Sequence, residues 1–280
     1  MNTKQIKIVA DSASDVLELE RVAFESAPLK IITAQKEYVD DSMLDVYGMV
    51  TDLQRYKGKS STSCPNAEDW LHAFGDADEV YCVTITGTLS GSYNAATVAK
   101  ELYEEAHPGR RVFVFNSLSA GPEIGLILEK LRELILAGSS FDEICQVIPS
   151  YSQKTGLLFM LESMKNLANN GRVSPLVAKM AGLLGIRVVG KASDRGDLEP
   201  LNKCHGVKRS LEAMVEHLKG MGFCAGKIRI AHCFNEQGAS QLLEMIRKEF
   251  SKAKIELCKC RGLCSFYAEL GGLLVGFEKA

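Results

Sequence analysis

The chain has 280 residues, of which 46% are hydrophobic and 24% are charged, enough for one large or two medium globular domains with real cores. The formal net charge of −2 excludes the strongly basic surface that nucleic-acid binding requires. Neither an apolar run of about eighteen residues nor a signal-peptide core is present, which predicts a cytoplasmic protein without stable membrane insertion.

The first half of the chain alternates strand-like and helix-like segments. Apolar, β-branched runs predict strands at 6–10, 80–86 and 112–115, and amphipathic segments predict helices at 67–74, 92–106 and 124–137. Strands separated by helices indicate a parallel sheet of the Rossmann-like α/β class. Pro149 and Gly156 interrupt the next helical region, so we expect a domain boundary there that divides the chain into residues 1–153 and 154–280.

The second half predicts a smaller α/β domain. A helix is expected over 161–169, a turn at Asn170-Gly171, and a hairpin loop at the sequence SDRGD of residues 193–197. Further helices are expected over 207–218 and 238–250, and strands over 227–231, 255–260 and 272–277. The predicted fold class is therefore α/β with two domains.

Three of the first-half strands end in loops rich in hydroxyl groups. These are ADSASD at 10–15, TGTLSGS at 86–92 and NSLSAG at 116–121, and SSTSCPN at 60–66 is a similar fourth loop. Ligands of open parallel sheets bind at the carboxyl ends of the strands, so the loops are expected to gather around one site. The alternative is that their Ser, Asp, Asn and Gly residues are ordinary caps and turn residues.

The loop around Ser90 matches none of the familiar catalytic motifs. A nucleophile elbow requires G-x-S-x-G, but Thr88 and Ser92 stand at the two glycine positions. Neither a P-loop nor a dinucleotide fingerprint fits. What remains is a helix N-terminus with free N–H groups, hydroxyl donors, and a glycine, Gly91, that permits close approach. This set suits a monoanion such as a carboxylate.

Nine cysteines, an odd number, are scattered through apolar contexts, which favours reduced thiols over a disulfide framework. Only Cys258, Cys260 and Cys264 cluster. A zinc site would need a fourth ligand and the paired C-x-x-C spacing, which the cluster lacks. Residues two apart on a strand share a face, so strand alternation explains Cys258 and Cys260 equally well. No metal is expected.

Seven short motifs follow one another along the chain: DSASD at 11–15, TSCP at 62–65, TLSGSYNAA at 88–96, NSLSAGPEIG at 116–125, LESMKNLANNGRVS at 161–174, GLLGIRVV at 182–189 and PLNKCHGVKRSLEAM at 200–214. Their order and spacing resemble the DegV family of fatty-acid-binding proteins nearly end to end. The resemblance implies a two-domain α/β protein that holds one long-chain fatty acid between its domains. It implies no cofactor and no catalysis by the protein itself, since a separate fatty-acid kinase would phosphorylate the bound carboxylate for lipid metabolism.

The same resemblance implies which residues hold the head group. Thr62 and Ser90 occupy the positions that hydrogen-bond the carboxylate in the family. From the composition of the two loops, we expect Ser63 and Gly91 to support them. The apolar segments 157–161, 180–186 and 271–277 are candidates to line the space for the tail. Ordinary core packing is the favoured interpretation for any single residue in them, so no tail contact is assigned.

The chain departs from the family near its C-terminus. An ungapped alignment puts Ala268 where family members commonly have a histidine that also approaches the carboxylate. Tyr267, Glu269 or Ser265 could approach that space instead. The basic residues Arg172, Lys203 and Arg209 are candidates for docking the kinase, the alternative being ordinary solvated charges.

Two other functions are open to the sequence. A serine hydrolase using Ser90 would need a nearby histidine and acid, and the five histidines lie in no recognisable triad context. A regulatory module would sense lipid without any kinase partner.

Overall fold

The computed structural model describes residues 4–179 and 185–279. Its strands, in chain order, are β1 (Ile6–Asp11), β2 (Ala23–Ala27), β3 (Lys30–Ile32), β4 (Glu37–Val39), β5 (Ser61–Ser63), β6 (Glu79–Thr84), β7 (Arg111–Asn116), β8 (Thr155–Leu161), β9 (Ile186–Ala192), β10 (Leu198–His205), β11 (Gly226–His232), β12 (Ala253–Lys259) and β13 (Leu273–Glu278). Its helices are α1 (Val46–Arg55), α2 (Ala67–Phe74), α3 (Ser92–Ala106), α4 (Pro122–Leu136), α5 (Phe141–Ser152), α6 (Lys165–Asn169), α7 (Pro175–Ala178), α8 (Val207–Gly220), α9 (Glu236–Glu249) and α10 (Gly262–Ala268).

The strands form three sheets. The first has the order β2-β1-β6-β7 with every pairing parallel, as predicted. The second has the order β10-β9-β8-β13-β11-β12 and is mixed, with a parallel pairing between β11 and β12 and antiparallel pairings elsewhere. A small antiparallel sheet, β4-β3-β5, carries Thr62 opposite Ile31. The predicted α/β class is confirmed.

Helix α4 lies between the two larger sheets. It contacts β1 and β6 on one side and β8, β11 and β13 on the other, and its first seven residues are all buried. A helix that is apolar around most of its circumference must be covered on both sides. Its N-terminus can approach β13 because Gly276 has no side chain: a Cβ there would lie 2.5 Å from the backbone nitrogen of Glu123.

Most predicted elements are present within a few residues of their expected bounds, and α2 and α3 have the expected bounds. The helix over 161–169 is wrong in its first part, because 155–161 form the fully buried strand β8 and the helix begins at Lys165. Periodicity alone does not separate a short buried strand from a buried helical segment. Residues 180–184 of the predicted tail lining lie outside the described residues.

The predicted division at residues 153 and 154 stays a prediction. Strands β1 to β7 precede it and β8 to β13 follow it. The second part has fewer residues; its sheet has six strands, whereas the first part builds a four-stranded and a three-stranded sheet.

Candidate functional site

A cavity of about 280 Å³ opens between the parallel sheet and the six-stranded sheet. Elements that precede residue 153 contribute Leu29, Ile85 and Ala120 to its apolar wall, and later elements contribute Leu157, Phe159 and Leu274. Side chains at alternate positions of a strand face the same side, and Leu157, Phe159 and Leu161 of β8 all face this cavity. The chamber is thus a largely apolar space that both parts of the chain enclose.

The hydroxyl groups predicted for the site lie on this cavity. Thr62 and Ser63 at the end of β5 and Ser90 and Gly91 before α3 all line it. The two loops approach each other closely, because a Cβ placed on Gly91 would lie 3.3 Å from the Cys64 sulfur. Glycine at this position therefore leaves room for the loop that carries Thr62.

The start of α3 is fixed from beneath by a buried carboxylate. Asp11 Oδ2 accepts hydrogen bonds from the Ser92 hydroxyl at 2.6 Å and from the Ile85 amide at 2.9 Å. Burial raises the pKa of Asp11 to about 7, although both hydrogen bonds act in the opposite direction. Asp11 therefore positions the loop that carries Ser90 and does not itself line the cavity.

Two of the predicted hydroxyl-rich loops direct their hydroxyl groups into the protein. In the loop after β1, the Ser12 hydroxyl accepts from the Leu29 amide at 3.0 Å. In the loop after β7, the Ser119 hydroxyl donates to Glu123 at 2.5 Å. Ala120 is the residue by which the latter loop reaches the cavity. The Ser12 and Ser119 hydroxyl groups therefore serve internal hydrogen bonds and not the cavity, so the expectation of one site lined by the hydroxyl groups of all these loops was too broad.

Helix α10 brings the C-terminal part of the chain to the side of the cavity where Thr62 lies. Its first amide groups, those of Gly262 and Leu263, each donate to the buried Asp40 carboxylate at 2.8 Å. The Arg261 amide donates to Asp15 at 2.8 Å. Burial raises the pKa of both Asp40 and Asp15, the latter to about 7. Sequence patterns could not predict this anchor, since the partners are more than two hundred residues apart.

Of the three side chains considered as substitutes for the missing histidine, Tyr267 is the one at the cavity. Its hydroxyl lies 2.8 Å from Thr62 Oγ1. Glu269 instead accepts from the Asn166 amide at 3.0 Å, and the Ser265 hydroxyl donates to the Cys260 carbonyl at 3.1 Å. Ala268 lines the cavity with a methyl group.

The three basic residues considered for docking lie in different surroundings. Lys203 on β10 and Arg209 on α8 are exposed. Arg172 is half-buried at the cavity wall, where its Nε donates to the Leu89 carbonyl at 3.0 Å and its guanidinium carbon lies 5.8 Å from the centre of the Tyr267 ring. Arg172 is therefore not the ordinary solvated charge that the sequence allowed.

The hairpin of β9 and β10 closes over one side of the cavity. Leu198, at the start of β10, lines the wall, and the Thr88 hydroxyl donates to the Gly196 carbonyl in the hairpin turn at 2.9 Å. Gly196 has φ +84°, a conformation that favours glycine, and any Cβ there would overlap the Thr86 hydroxyl. The turn predicted at 193–197 thus also joins the two parts of the chain.

Neither a metal cluster nor a histidine belongs to this site as far as the structure describes the chain. Within residues 4–179 and 185–279 no group of three or more His, Cys, Asp or Glu side chains could hold a metal ion. The lining of the cavity contains no histidine from these same ranges.

Burial raises the pKa of the Cys258, Cys260 and Cys264 thiols. No helix in the described part of the chain is long and apolar enough to cross a bilayer.

Comparison with known proteins gives one family. A family model described as "Uncharacterised protein, DegV family" matches residues 5–279. A DegV domain-containing protein of Streptococcus pneumoniae is 46% identical over 276 residues, which cover 97% of this chain and 98% of that protein.

Solved structures agree with this. The fatty acid kinase (Fak) B3 protein of Streptococcus pneumoniae, loaded with linoleic acid, is 45% identical with a TM-score of 0.97, covering 99% of this chain and 100% of that one. A DegV family protein from Eubacterium eligens, loaded with heptadecanoic acid, is 44% identical with a TM-score of 0.96, covering 98% of this chain and 100% of that one. With sequence and fold both matching over nearly the whole length, the chain belongs to the DegV family.

Proposed function

We propose that this protein binds one long-chain fatty acid in the cavity between its two larger sheets and presents the carboxylate to a separate fatty-acid kinase. The observation that carries the proposal is the cavity itself, an apolar chamber of about 280 Å³ with hydroxyl groups on one part of its wall. A molecule with a long apolar tail and one small polar head matches this distribution. The similar proteins from Streptococcus pneumoniae and Eubacterium eligens were solved with such acids bound.

The apolar wall would supply the affinity. Burying about fourteen methylenes at about 0.8 kcal/mol each gives on the order of 11 kcal/mol of gross driving force, before the costs of ordering and association. Hydrogen bonds to the carboxylate, at about 1.5 to 3 kcal/mol each, would mainly fix the direction in which the acid enters. The tail therefore determines how tightly the ligand binds, and the head-group loops determine its orientation.

Thr62 and Ser90 are our candidates for the carboxylate ligands, with Ser63 and Gly91 in support. All four residues line the cavity, and α3 begins directly after Gly91, so the N–H groups of its first turn favour a negative charge nearby. The four residues carry no charge, and among the described residues that line the cavity Arg172 is the one charged side chain, so the set suits a single carboxylate better than a polyphosphate.

Presentation to a kinase is supported by the similar Fak B3 protein, whose name places it with a fatty acid kinase. Lys203 and Arg209 are exposed cations that we propose as part of the docking surface. A hydrolytic role for Ser90 has less support, because its hydroxyl accepts from the Ser92 amide at 3.3 Å and no histidine of the described ranges lines the cavity to act as its base.

Native mass spectrometry of protein purified without added lipid tests the ligand. We expect an adduct with the mass of a long-chain acid, and delipidated protein should rebind palmitate or oleate. The double variant Thr62→Ala with Ser90→Ala should bind the acid at least tenfold more weakly with the same fold, whereas Ser150→Ala, which removes an exposed hydroxyl from α5, should bind normally. Protein that carries no acid and rebinds none would refute the proposal.

A kinase assay tests presentation. A fatty-acid kinase supplied with ATP and the loaded protein should form acyl phosphate, and Lys203→Glu with Arg209→Glu should lower the rate while leaving acid affinity unchanged. Normal acid binding without any acyl phosphate would favour the regulatory module instead. Labelling of Ser90 by a fluorophosphonate would favour the hydrolase.

A further inference from the structure

Tyr267 meets Thr62 across the boundary between the two parts of the chain. The two hydroxyl oxygens lie 2.8 Å apart, although 205 residues separate them. Both residues line the cavity. The Tyr267 ring packs edge-on against Phe266 at 4.9 Å between centroids, and Arg172 lies over its face at 5.8 Å. These contacts fix the ring, so the phenol oxygen has a defined place beside the proposed head-group site.

The phenol is a neutral donor at this place. Burial raises the pKa of Tyr267 above its ordinary value, and the opposing effects of the Thr62 hydroxyl and the Arg172 charge are smaller. Each of the two hydroxyl groups carries one hydrogen, and a single hydrogen bond between them uses one of the two. Whichever group donates to the other, one hydrogen of the pair remains free to point at an acceptor in the cavity.

The pair is held by its supports rather than by mutual attraction alone. Thr62 belongs to β5, which pairs with β3. Tyr267 belongs to α10, whose first turn is bound by the buried Asp40 carboxylate through two hydrogen bonds of 2.8 Å. Because the two side chains are already fixed from both sides, little further side-chain entropy is lost when a ligand accepts the free hydrogen. Linked hydroxyl groups also polarise each other, which strengthens the outward bond.

We propose that Tyr267 is a specificity-determining residue: with Thr62 it forms one donor unit that makes the cavity prefer a carboxylate over an uncharged head group of the same chain length. The inference rests on the proposed fatty-acid function, and it assigns the selectivity for the head group to a residue outside the two loops that carry Thr62 and Ser90. A carboxylate accepts a charge-assisted hydrogen bond, which is roughly twice as strong as the bond that a neutral alcohol oxygen accepts.

The test measures the affinity of delipidated protein for palmitic acid and for hexadecanol by displacement of a fluorescent probe. Tyr267→Phe keeps the ring and removes the hydroxyl. We expect palmitate affinity to fall about tenfold and hexadecanol affinity to fall about threefold or less. The control Tyr81→Phe removes a buried hydroxyl that finds no hydrogen-bond partner among the described residues and lies outside the cavity, so it should leave both affinities unchanged.

A mutant cycle separates selectivity from packing. If the two hydroxyl groups act as one unit, Thr62→Ala combined with Tyr267→Phe should lower palmitate affinity by clearly less than the product of the two single effects. Equal losses for acid and alcohol in Tyr267→Phe, or fully additive effects in the cycle, would overturn the proposal. A wild-type protein that binds neither ligand would refute the fatty-acid function itself, which is a different result.

Discussion

Filling the cavity beside Ala120 should have opposite effects on ligand affinity and on stability. Ala120 lines the cavity and packs against core side chains of both larger sheets. Ala120→Leu adds three carbons to this wall, and the cavity of about 280 Å³ has room for them when no ligand is present. The added carbons would occupy space that three methylenes of a bound tail would otherwise fill.

The size of both effects follows from the number of carbon atoms that become buried or lose their burial. At about 0.8 kcal/mol per buried methylene, losing three methylenes weakens binding by about 2.4 kcal/mol, which is roughly 50-fold in Kd. The same carbons become buried in the lipid-free protein and should raise its free energy of unfolding by up to about 2 kcal/mol. Calorimetric titration with palmitate measures the first effect, and urea unfolding of delipidated protein measures the second.

The control is Ala106→Leu at the exposed end of α3, which should change neither quantity by more than about 0.5 kcal/mol. Unchanged palmitate affinity in Ala120→Leu would refute the assignment of this cavity to the tail. A loss of stability with unchanged affinity would show that Ala120 faces packed protein, where added volume costs about 1 to 3 kcal/mol.

Three further outcomes are expected. Burial raises the pKa of Asp11 to about 7, above its unfolded value of about 4. The native state therefore holds the proton more tightly, and the contribution of Asp11 to stability falls by about 1.4 kcal/mol per pH unit as pH rises between these two values. The pKa values of Asp15 and Asp40 are also raised, so Asp11→Asn should reduce the slope of stability against pH by about this amount without removing it, and an unchanged slope in thermal unfolding between pH 4 and 8 would contradict the assignment. Thr88→Val removes the hydrogen bond to the Gly196 carbonyl, so release of bound acid, measured by stopped flow, should be about three- to tenfold faster. An unchanged rate would show that the hairpin does not limit release. Asn66→Ala breaks the capping box with Asp69 at the start of α2. It should lower the free energy of unfolding, measured by urea titration, by about 1 kcal/mol without changing acid affinity. A loss of affinity as well would show that the geometry of the Thr62 loop depends on this cap.

Local patterns in the sequence were enough to predict the segment from β6 to α3. Val80 to Val83 form an uninterrupted apolar run, and the polar loop and amphipathic pattern that follow place the start of the helix at Ser92. The rule that loops gather at the carboxyl edge of a parallel sheet also accounts for the Ser90 loop, which follows β6. It does not account for Thr62, which lies on β5 of the small antiparallel sheet and lines the same cavity; Thr62 was identified through the family resemblance.

Contacts between distant residues could not be predicted in the same way. Whether a serine faces a ligand or a neighbouring amide depends on the fold, and the hydroxyl groups of Ser12 and Ser119 face inward. The pairing of Thr62 with Tyr267 requires α10 to be placed beside β5. The family resemblance named Tyr267 only as one of three side chains that could approach the head group, and it indicated no contact with Thr62. The end of the buried strand β8 was predicted as the start of a helix, because an uninterrupted apolar run has no periodicity that distinguishes a strand from a helix.

The anchoring of α10 has a consequence for how the protein is made. The cavity is bounded by Leu29 near the start of the chain and by Leu274 near its end, and the helix that carries Tyr267 is held by Asp40. During synthesis, Leu274 must have left the ribosome before it can meet Leu29 and complete this wall. A nascent chain that has not yet exposed Leu274 therefore has no closed chamber.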